Sequence, residues 1–303
     1  MKPYAERTPD TQYRDLLKSI VERGVRTPSQ QGVDALTLIG PASLHYRLDN
    51  GFPLITERNL APKVSETLPV TIWQQAIAEI LAFMNGARTQ KQLEEFGCYW
   101  WRWWVTKEKC EKRGLEEGDL GPGSYGAAFH DFPTAEGSPY NQFKNIIEQI
   151  KEFPHLRTHF ISPWIPQYTI RGEGKQQRVV VAPCHGWIHI RIIEGKLTLH
   201  MIQRSCDVPV GLPQNLIQYA ALTLAIAHVT GYEAYEYVHS FSDAHIYVDQ
   251  LDAVKTMLER EPRRLPTLTL NTDKKDLFAF RREDFTLADY EPHPGIKKIP
   301  VAI

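Results

Sequence analysis

Several stretches of the chain repeat apolar residues at helical spacing. In the first three, apolar side chains recur every three or four positions, which predicts amphipathic helices. Gly24, Gly86 and Pro154 follow these three stretches as stop signals. The fourth is apolar on nearly every face, which predicts a buried central helix that ends before Gly231. The four stretches cover residues 11–24, 72–85, 140–153 and 212–229.

Strand signals surround the short turn at Glu194 and Gly195. The segments "WIHIRII" (187–193) and "LTLHMIQ" (197–203) alternate in polarity on either side of it, which predicts a β-hairpin. Helices and strands are mixed along the chain without regular βαβ alternation. The pattern therefore predicts an α+β fold, a mixed β-sheet covered by helices. Without internal repeats or linkers, we expect a single domain over residues 1–303.

Composition excludes several classes of function. The chain has 303 residues, 42% hydrophobic and 23% charged, with a net charge of −1. No long basic surface is expected, which argues against a nucleic-acid substrate. No apolar run reaches the roughly 18 residues of a membrane span. The N-terminus has no secretion signal, and the four cysteines form neither a disulfide framework nor a C-x-x-C motif. We expect a cytoplasmic protein without a membrane partner or a metal.

The segment "GPGSYG" (121–126) matches the pattern G-x-G-x-x-G of dinucleotide sites. Such a site needs a hydrophobic strand before the first glycine, and here "KRGLEEGDL" precedes it. Pro122 also favours a loop. A Rossmann site is therefore not expected.

The stretch "VVAPCHGW" (180–187) contains Cys184 after a run of β-branched residues. Buried free cysteine is a common small hydrophobe, so an inert strand residue is one interpretation. A nucleophile is the other. A Cys184–His185 hydrolase is not expected, because adjacent strand residues point to opposite faces.

Polar residues are dense in "QRSCDVPVGLPQN" (203–215), where a strand leads into the predicted central helix. Arg204, Ser205 and Asp207 are not expected to be core residues together, because unpaired buried charge is costly. Asn215 is either a helix N-cap or a binding residue. Farther on, "DAHIY" places Asp243, His245 and Tyr247 on one face of a strand.

Taken in order, these segments resemble the folate-dependent thymidylate synthase family. The resemblance covers "NGFPLIT", "AEILAFMNG", "LGPGSYG", "APCH", "QRSCDVPVGLPQN", "AHVTG", "DAHIY" and "PHPGIKKIPVAI". It implies a homodimer that associates through the sheet and shares its active sites. It also implies methylation of dUMP to dTMP, with 5,10-methylenetetrahydrofolate as co-substrate, and it makes Cys184 a nucleophile.

The resemblance assigns roles to the matched residues. Cys184 would add to C6 of uracil, and Arg204 would lower the pKa of its thiol and contact the phosphate. Ser205 would bind the substrate. Glu79 would organise proton transfers at the base, and Tyr125 would assist removal of the C5 proton. The remaining matched residues would bind the two substrates. Arg26 and the partner's Arg157 match phosphate ligands, and Asn215 matches the ligand of the base. His245 and Tyr247 match the residues that bind the sugar. The folate pocket would be formed by Trp101, Asp207, Gly211 and Ile303, and Asp207 would also bind the nucleotide.

Departures from the family pattern keep an alternative open. The phosphate loop "RTPSQQGVDALT" is long, Thr158 replaces a second arginine, and Gln214 replaces an aromatic residue. A pyrimidine nucleotide hydroxymethylase of the same superfamily, in which water replaces hydride, is the alternative. A nucleotide-binding paralogue without turnover is disfavoured, because Cys184, Glu79, Tyr125 and Arg204 are all retained.

Overall fold

A mixed β-sheet forms the centre of the computed structural model, which describes residues 1–63, 65–68, 70–297 and 299–302. Its strands are Val25–Thr27 (β1), Ala35–Ile39 (β2), Leu44–Arg47 (β3), Phe160–Ile161 (β4), Trp187–Ile193 (β5), Lys196–Asp207 (β6) and Glu233–Tyr247 (β7). Their order is β1-β2-β7-β6-β5-β4, and β3 also pairs with β7. Strands β6 and β7 are parallel and the remaining pairs antiparallel. The predicted mixed sheet is confirmed.

Helices cover this sheet, so the predicted α+β class is also confirmed. A small antiparallel sheet of Thr267–Leu270 (β8) and Phe285–Ala288 (β9) lies apart from the main one. The helices are Gln12–Arg23 (α1), Ile72–Met84 (α2), Gln90–Phe96 (α3), Lys107–Glu111 (α4), Tyr125–His130 (α5), Gln142–Glu152 (α6), Pro166–Thr169 (α7), Gly211–Thr230 (α8) and Leu251–Leu258 (α9).

The four predicted helices correspond to α1, α2, α6 and α8, each within two residues at either end. The predicted hairpin is formed by β5 and β6, with Ile193 opposite Lys196. Both turn residues, Glu194 and Gly195, have positive φ angles (52° and 75°), the backbone that a tight two-residue hairpin requires. The hairpin prediction is confirmed.

Helix α8 lies at the centre of the hydrophobic core. It packs against β6 and β7 on one side and against α2 on the other. Most of its side chains are buried, including Leu216, Ile217 and Tyr219. Because α8 begins four residues after β6 ends, its first turns lie beside the ends of the two parallel strands.

The opposite face of the sheet carries exposed apolar side chains. Ile193 is 61% exposed, Phe160 45% and Ile202 37%, and the strand register places these three side chains, from three different strands, on the same face. Apolar side chains on one sheet face indicate a surface that associates with another protein surface. Within the described ranges, no helix is long and apolar enough to cross a membrane.

Candidate active site

Cys184 lies in an extended segment just before β5, and the expectation that it sits in a strand is wrong. Pro183 has no N–H to donate to a strand ladder, and Gly186 has a φ of 100°, so β5 begins only at Trp187. The Cys184 backbone is nevertheless held firmly. Its N–H donates to the Tyr125 hydroxyl (2.7 Å), and its carbonyl accepts from the N–H of Arg204 (2.7 Å).

Arg204 is the cation beside the thiol. Its Nη2 lies 3.5 Å from Cys184 Sγ, and its Nε donates to the Pro183 carbonyl (3.1 Å). The guanidinium lies over the Trp164 ring, 5.5 Å from the centroid. Burial raises the pKa of the Cys184 thiol and Arg204 opposes that rise, but the net shift is upward. Arg204 therefore lowers the pKa of the thiol as expected, but burial raises it by more, so the predicted net decrease in the pKa is wrong.

Tyr125 is the first residue of α5 and follows the "GPGS" turn. Residues 112–120, directly before Gly121, form turns and a single bridge and not the strand that a dinucleotide site requires. Gly126 lets α5 approach the end of α2, because a Cβ there would lie 2.0 Å from the Ala87 carbonyl oxygen. This contact positions the Tyr125 ring between Phe83 and His185, with centroids at 4.9 and 4.5 Å.

His185 points away from the thiol of its neighbour. Its Nδ1 lies 2.6 Å from the Tyr219 hydroxyl on α8. Burial lowers the pKa of His185 to about 3, which keeps the ring neutral. A hydrolytic Cys–His pair at this site is excluded, as expected, although the reason is this contact and not strand alternation.

Glu79 is a buried carboxyl group on α2, a helix that begins with a capping box at Thr71. Its Oε1 accepts from the indole of Trp100 (2.6 Å) and from that of Trp101, and its Oε2 accepts from the Gln218 amide. Burial raises the pKa of Glu79 to about 7, while these donors oppose the rise. A carboxyl group with such a pKa gains and loses a proton near neutral pH.

Asn215 lies inside α8 and is not its N-cap, because the helix begins at Gly211. The capping interpretation is therefore wrong. The side chain is 6% exposed. Its Oδ1 accepts from Gln203 Nε2 (3.0 Å), and its Nδ2 donates to Gln218 Oε1 (2.9 Å). Each end of the amide keeps one further bonding position for a ligand.

The predicted strand face of Asp243, His245 and Tyr247 exists at the end of β7. His245 Nδ1 lies 2.6 Å from Asp243 Oδ1, and the His245 and Tyr247 rings are 5.0 Å apart. Asp207, at the end of β6, is in register with His245. Burial raises the pKa of Asp207 to about 6.

Gln250 connects Asp207 to the C-terminal segment. Its Nε2 donates to Asp207 Oδ2 (3.1 Å) and to the Pro300 carbonyl (2.9 Å). Gly211 lies beside this group, and among the described residues a Cβ there would meet only the Asp207 Cβ, at 3.8 Å. The space in front of Gly211 is therefore open to a ligand. Ile303, predicted to close the folate pocket, lies outside the described residues.

Two predicted phosphate ligands are not bonded to this cluster. Arg26, on β1, forms an ion pair with Asp34 (2.8 Å). Arg157 is exposed in the loop before β4, where its carbonyl is 3.1 Å from His189 Nε2. Ser205, by contrast, lies on β6 next to Arg204, with its N–H 3.3 Å from the Cys184 carbonyl.

Sequence reasoning missed four residues of the network: Trp100, Gln203, Gln218 and Gln250. Gln218 carried a signal, since it is a polar amide in the stretch predicted to form a buried central helix. Trp100 is adjacent to the predicted Trp101 and donates to the same oxygen. Among the described residues, no group of three or more His, Cys, Asp or Glu side chains is arranged to hold a metal ion.

A half-buried cysteine with its thiol beside an arginine and its backbone bonded to a tyrosine, in a protein that also contains a buried carboxyl group, defines an α+β protein suited to thiol addition chemistry. The model of one protein family, described as thymidylate synthase, matches residues 11–303, nearly the whole chain. The chain belongs to the thymidylate synthase family. It is therefore a one-carbon transfer enzyme of that superfamily.

Proposed function

We propose that the enzyme converts dUMP to dTMP through a covalent adduct between Cys184 and C6 of the uracil ring. The observation that carries the proposal is the position of the Cys184 thiol, 3.5 Å from the Arg204 guanidinium, in a residue whose backbone N–H is bonded to the Tyr125 hydroxyl. Uracil C5 is a poor nucleophile. Addition of a thiolate at C6 moves the ring electrons toward O4, so that C5 can form a bond to a one-carbon electrophile.

The raised pKa of the thiol shapes the first step. Because burial keeps the Cys184 thiol protonated, its proton must leave as sulfur adds to C6. Arg204 stabilises the negative charge on sulfur during that transfer. Glu79, with a pKa of about 7, supplies and removes a proton near the base, and Tyr125 assists loss of the proton on C5.

The residues around Asp207 fit a folate. A carboxyl group that is buried and partly protonated can donate to or accept from a pterin ring, and Gly211 leaves open space beside it. Trp101 would provide an aromatic wall, and the C-terminal segment held by Gln250 would provide an aliphatic one. When bound, 5,10-methylenetetrahydrofolate supplies the carbon and the hydride.

The proposed enzyme is a homodimer that associates through the sheet. The exposed apolar side chains of β4, β5 and β6 on one sheet face support this interface. Arg157, exposed at the edge of that face, would complete the partner's phosphate site. Arg26 would leave Asp34 to join it, and Ser205 and Arg204 would provide the remaining phosphate contacts. His245 and Tyr247 would hold the sugar hydroxyl.

One observation favours the hydroxymethylase alternative. The Oε1 atom of Gln214 is buried and has no hydrogen-bond partner among the described residues. An orphan acceptor next to Asn215 is a position where a water molecule can bind. Hydroxymethylation would require a water molecule at the base, and this unpartnered acceptor one residue from Asn215 in the sequence would be the candidate to hold it.

Product analysis tests the proposal. Purified enzyme is incubated with methylenetetrahydrofolate and either dUMP or dCMP, and nucleotide and folate products are identified by mass spectrometry. In the incubation with dUMP we expect dTMP and dihydrofolate in equal amounts, and in the incubation with dCMP we expect no product. Hydroxymethyl-dUMP with tetrahydrofolate would establish the alternative, and hydroxymethyl-dCMP would also overturn the assignment of the base.

A further inference from the structure

A chain of hydrogen bonds runs through the interior from β6 to α2. Gln203 Nε2 donates to Asn215 Oδ1 (3.0 Å), and Asn215 Nδ2 donates to Gln218 Oε1 (2.9 Å). Gln218 Nε2 then donates to Oε2 of Glu79. All four side chains are buried, and Gln218 is completely so. Each amide therefore donates a hydrogen bond to the next side chain, in the direction from Gln203 to Glu79.

Both ends of the chain fix that direction. At one end, Gln203 Nε2 also donates to the Ser205 backbone carbonyl (3.0 Å), which can only accept. At the other end, the Glu79 carboxylate can only accept while it is ionised. Rotating the three amides by half a turn would place carbonyl oxygen against the Ser205 carbonyl and against Glu79. The reversed chain is thus disfavoured at the Ser205 end at every pH, and at the Glu79 end whenever the carboxylate is ionised.

The direction of these hydrogen bonds matters because the amide of asparagine can pair with either uracil or cytosine. With Oδ1 toward N3 and Nδ2 toward position 4, its amide accepts from the N3–H of uracil and donates to O4. Rotated by half a turn, the same amide donates to N3 of cytosine and accepts from the 4-amino group. An asparagine that rotates freely therefore reads both bases, and one held in a single orientation reads one.

We propose that Gln218 is a positioning residue that fixes the orientation of the Asn215 amide and thereby sets the preference for uracil over cytosine. This inference rests on the proposed function, because it concerns the base in the same site. Among the described residues, Gln218 is the side chain that connects Asn215 to Glu79 by hydrogen bonds. Gln203 supports the same orientation from the other side.

The test measures base preference by equilibrium binding. Isothermal titration calorimetry with dUMP and with dCMP, without folate, gives the ratio of the two Kd values for the wild type and for Gln218→Met. Methionine keeps the length of the side chain and removes both hydrogen bonds. Gln142→Met is the matched control, since Gln142 is a buried glutamine on α6 that bonds the Ala128 and Ser162 carbonyls.

We expect the preference for dUMP to fall at least tenfold in Gln218→Met and to stay within twofold of the wild type in Gln142→Met. An unchanged ratio in a folded Gln218→Met protein would overturn the inference and leave the proposed function intact. A wild-type enzyme that binds neither nucleotide, or prefers dCMP, would overturn both.

A second variant keeps the inference testable if Gln218→Met does not fold. A protonated carboxyl group has one donor and one acceptor, as the linking amide does, whereas an ionised one has no donor. Gln218→Glu should therefore recover the preference for dUMP as pH falls and lose it as pH rises, relative to the wild type. A preference in Gln218→Glu that follows the wild type at every pH would contradict the role of Gln218.

Discussion

The backbone N–H of Cys184 donates to the hydroxyl of Tyr125, with 2.7 Å between nitrogen and oxygen. This bond joins the extended segment before β5 to the first residue of α5. It fixes the thiol from the main chain, so that the sulfur itself remains available. The backbone bond therefore holds the thiol in position without occupying the sulfur that reacts.

Cys184→Ser should abolish turnover, by at least about a thousandfold, and leave dUMP binding within a few-fold of the wild type. The hydroxyl is too weak an acid to add to C6, while the backbone bonds of residue 184 do not involve the sulfur. Steady-state assays and calorimetry measure the two properties. Cys110→Ser, at a buried thiol outside the site, is the control and should stay active. Substantial turnover by Cys184→Ser would remove the nucleophile from the mechanism.

Arg204→Gln should raise the pKa of the Cys184 thiol further, because Arg204 now opposes the effect of burial. The midpoint of the pH profile for iodoacetamide alkylation of Cys184, followed by peptide mass mapping, should move to higher pH. Arg171→Gln, at an exposed arginine outside the site, should leave the midpoint unchanged. A midpoint that does not move in Arg204→Gln would show that the contact is electrostatically silent.

Glu79 should make the protein less stable as pH rises. Its pKa of about 7 exceeds the ordinary value of 4.5, so the folded protein binds more protons than the unfolded one between these values. The free energy of unfolding therefore falls across this window, and the loss is complete above about pH 7. Relative to the wild type, Glu79→Gln should gain on the order of 3 kcal/mol between pH 4.5 and pH 8.

Urea unfolding followed by circular dichroism checks this prediction at each pH. The difference between variant and wild type is used because Glu57, also buried with a pKa of about 7, titrates in the same window. Glu152→Gln, at an exposed carboxylate on α6, should show no such change. A constant difference between Glu79→Gln and the wild type would mean that Glu79 does not titrate in this range.

Gly211→Val should weaken folate binding at least about tenfold with little loss of stability. Among the described residues a Cβ at this position meets only the Asp207 Cβ at van der Waals distance, so the new side chain would fill open space in front of the helix. Calorimetry with a folate in the presence of dUMP, together with thermal unfolding, measures both effects. Retained folate affinity would show that the pocket lies elsewhere.

Mixing two defective enzymes tests the shared active site. Arg157→Ala should raise the KM for dUMP at least about tenfold, since the guanidinium is proposed to bind phosphate. Refolded together with Cys184→Ser, it should recover about a quarter of the wild-type sites, because half the dimers are mixed and each has one intact site. If the mixture shows only the activity of Arg157→Ala, the partner does not contribute Arg157.

The helices and the hairpin were predictable because their signals are local, and α8 begins one residue before the predicted start at residue 212. The role of Asn215 near that start was not predictable. A polar residue such as Asn215 before an apolar run is typical of an N-cap. Here Gly211 and Pro213 instead form the first turn, where a missing N–H has no cost. The helix therefore begins earlier and buries Asn215 in its second turn.

The residues of the predicted site were found through the family resemblance, whereas the links between them were not. Asn215 and Gln218 are neighbours on α8, but Gln203 on β6 and Glu79 on α2 meet them only when these three elements pack. The pKa of Cys184 was misjudged for a related reason, because the resemblance provided the arginine but not the extent of burial. Local patterns carry little information about hydrogen bonds between distant segments or about burial.

The two indoles that donate hydrogen bonds to Glu79 make the intrinsic fluorescence of the enzyme a probe of the site. Trp100 and Trp101 both donate to one carboxylate oxygen, and indole emission depends on the charge that its N–H faces. Their fluorescence will therefore change when Glu79 gains a proton or when a ligand rearranges the carboxyl group. Substrate association and protonation can then be followed in real time on unlabelled enzyme, with single tryptophan-to-phenylalanine changes assigning the signal.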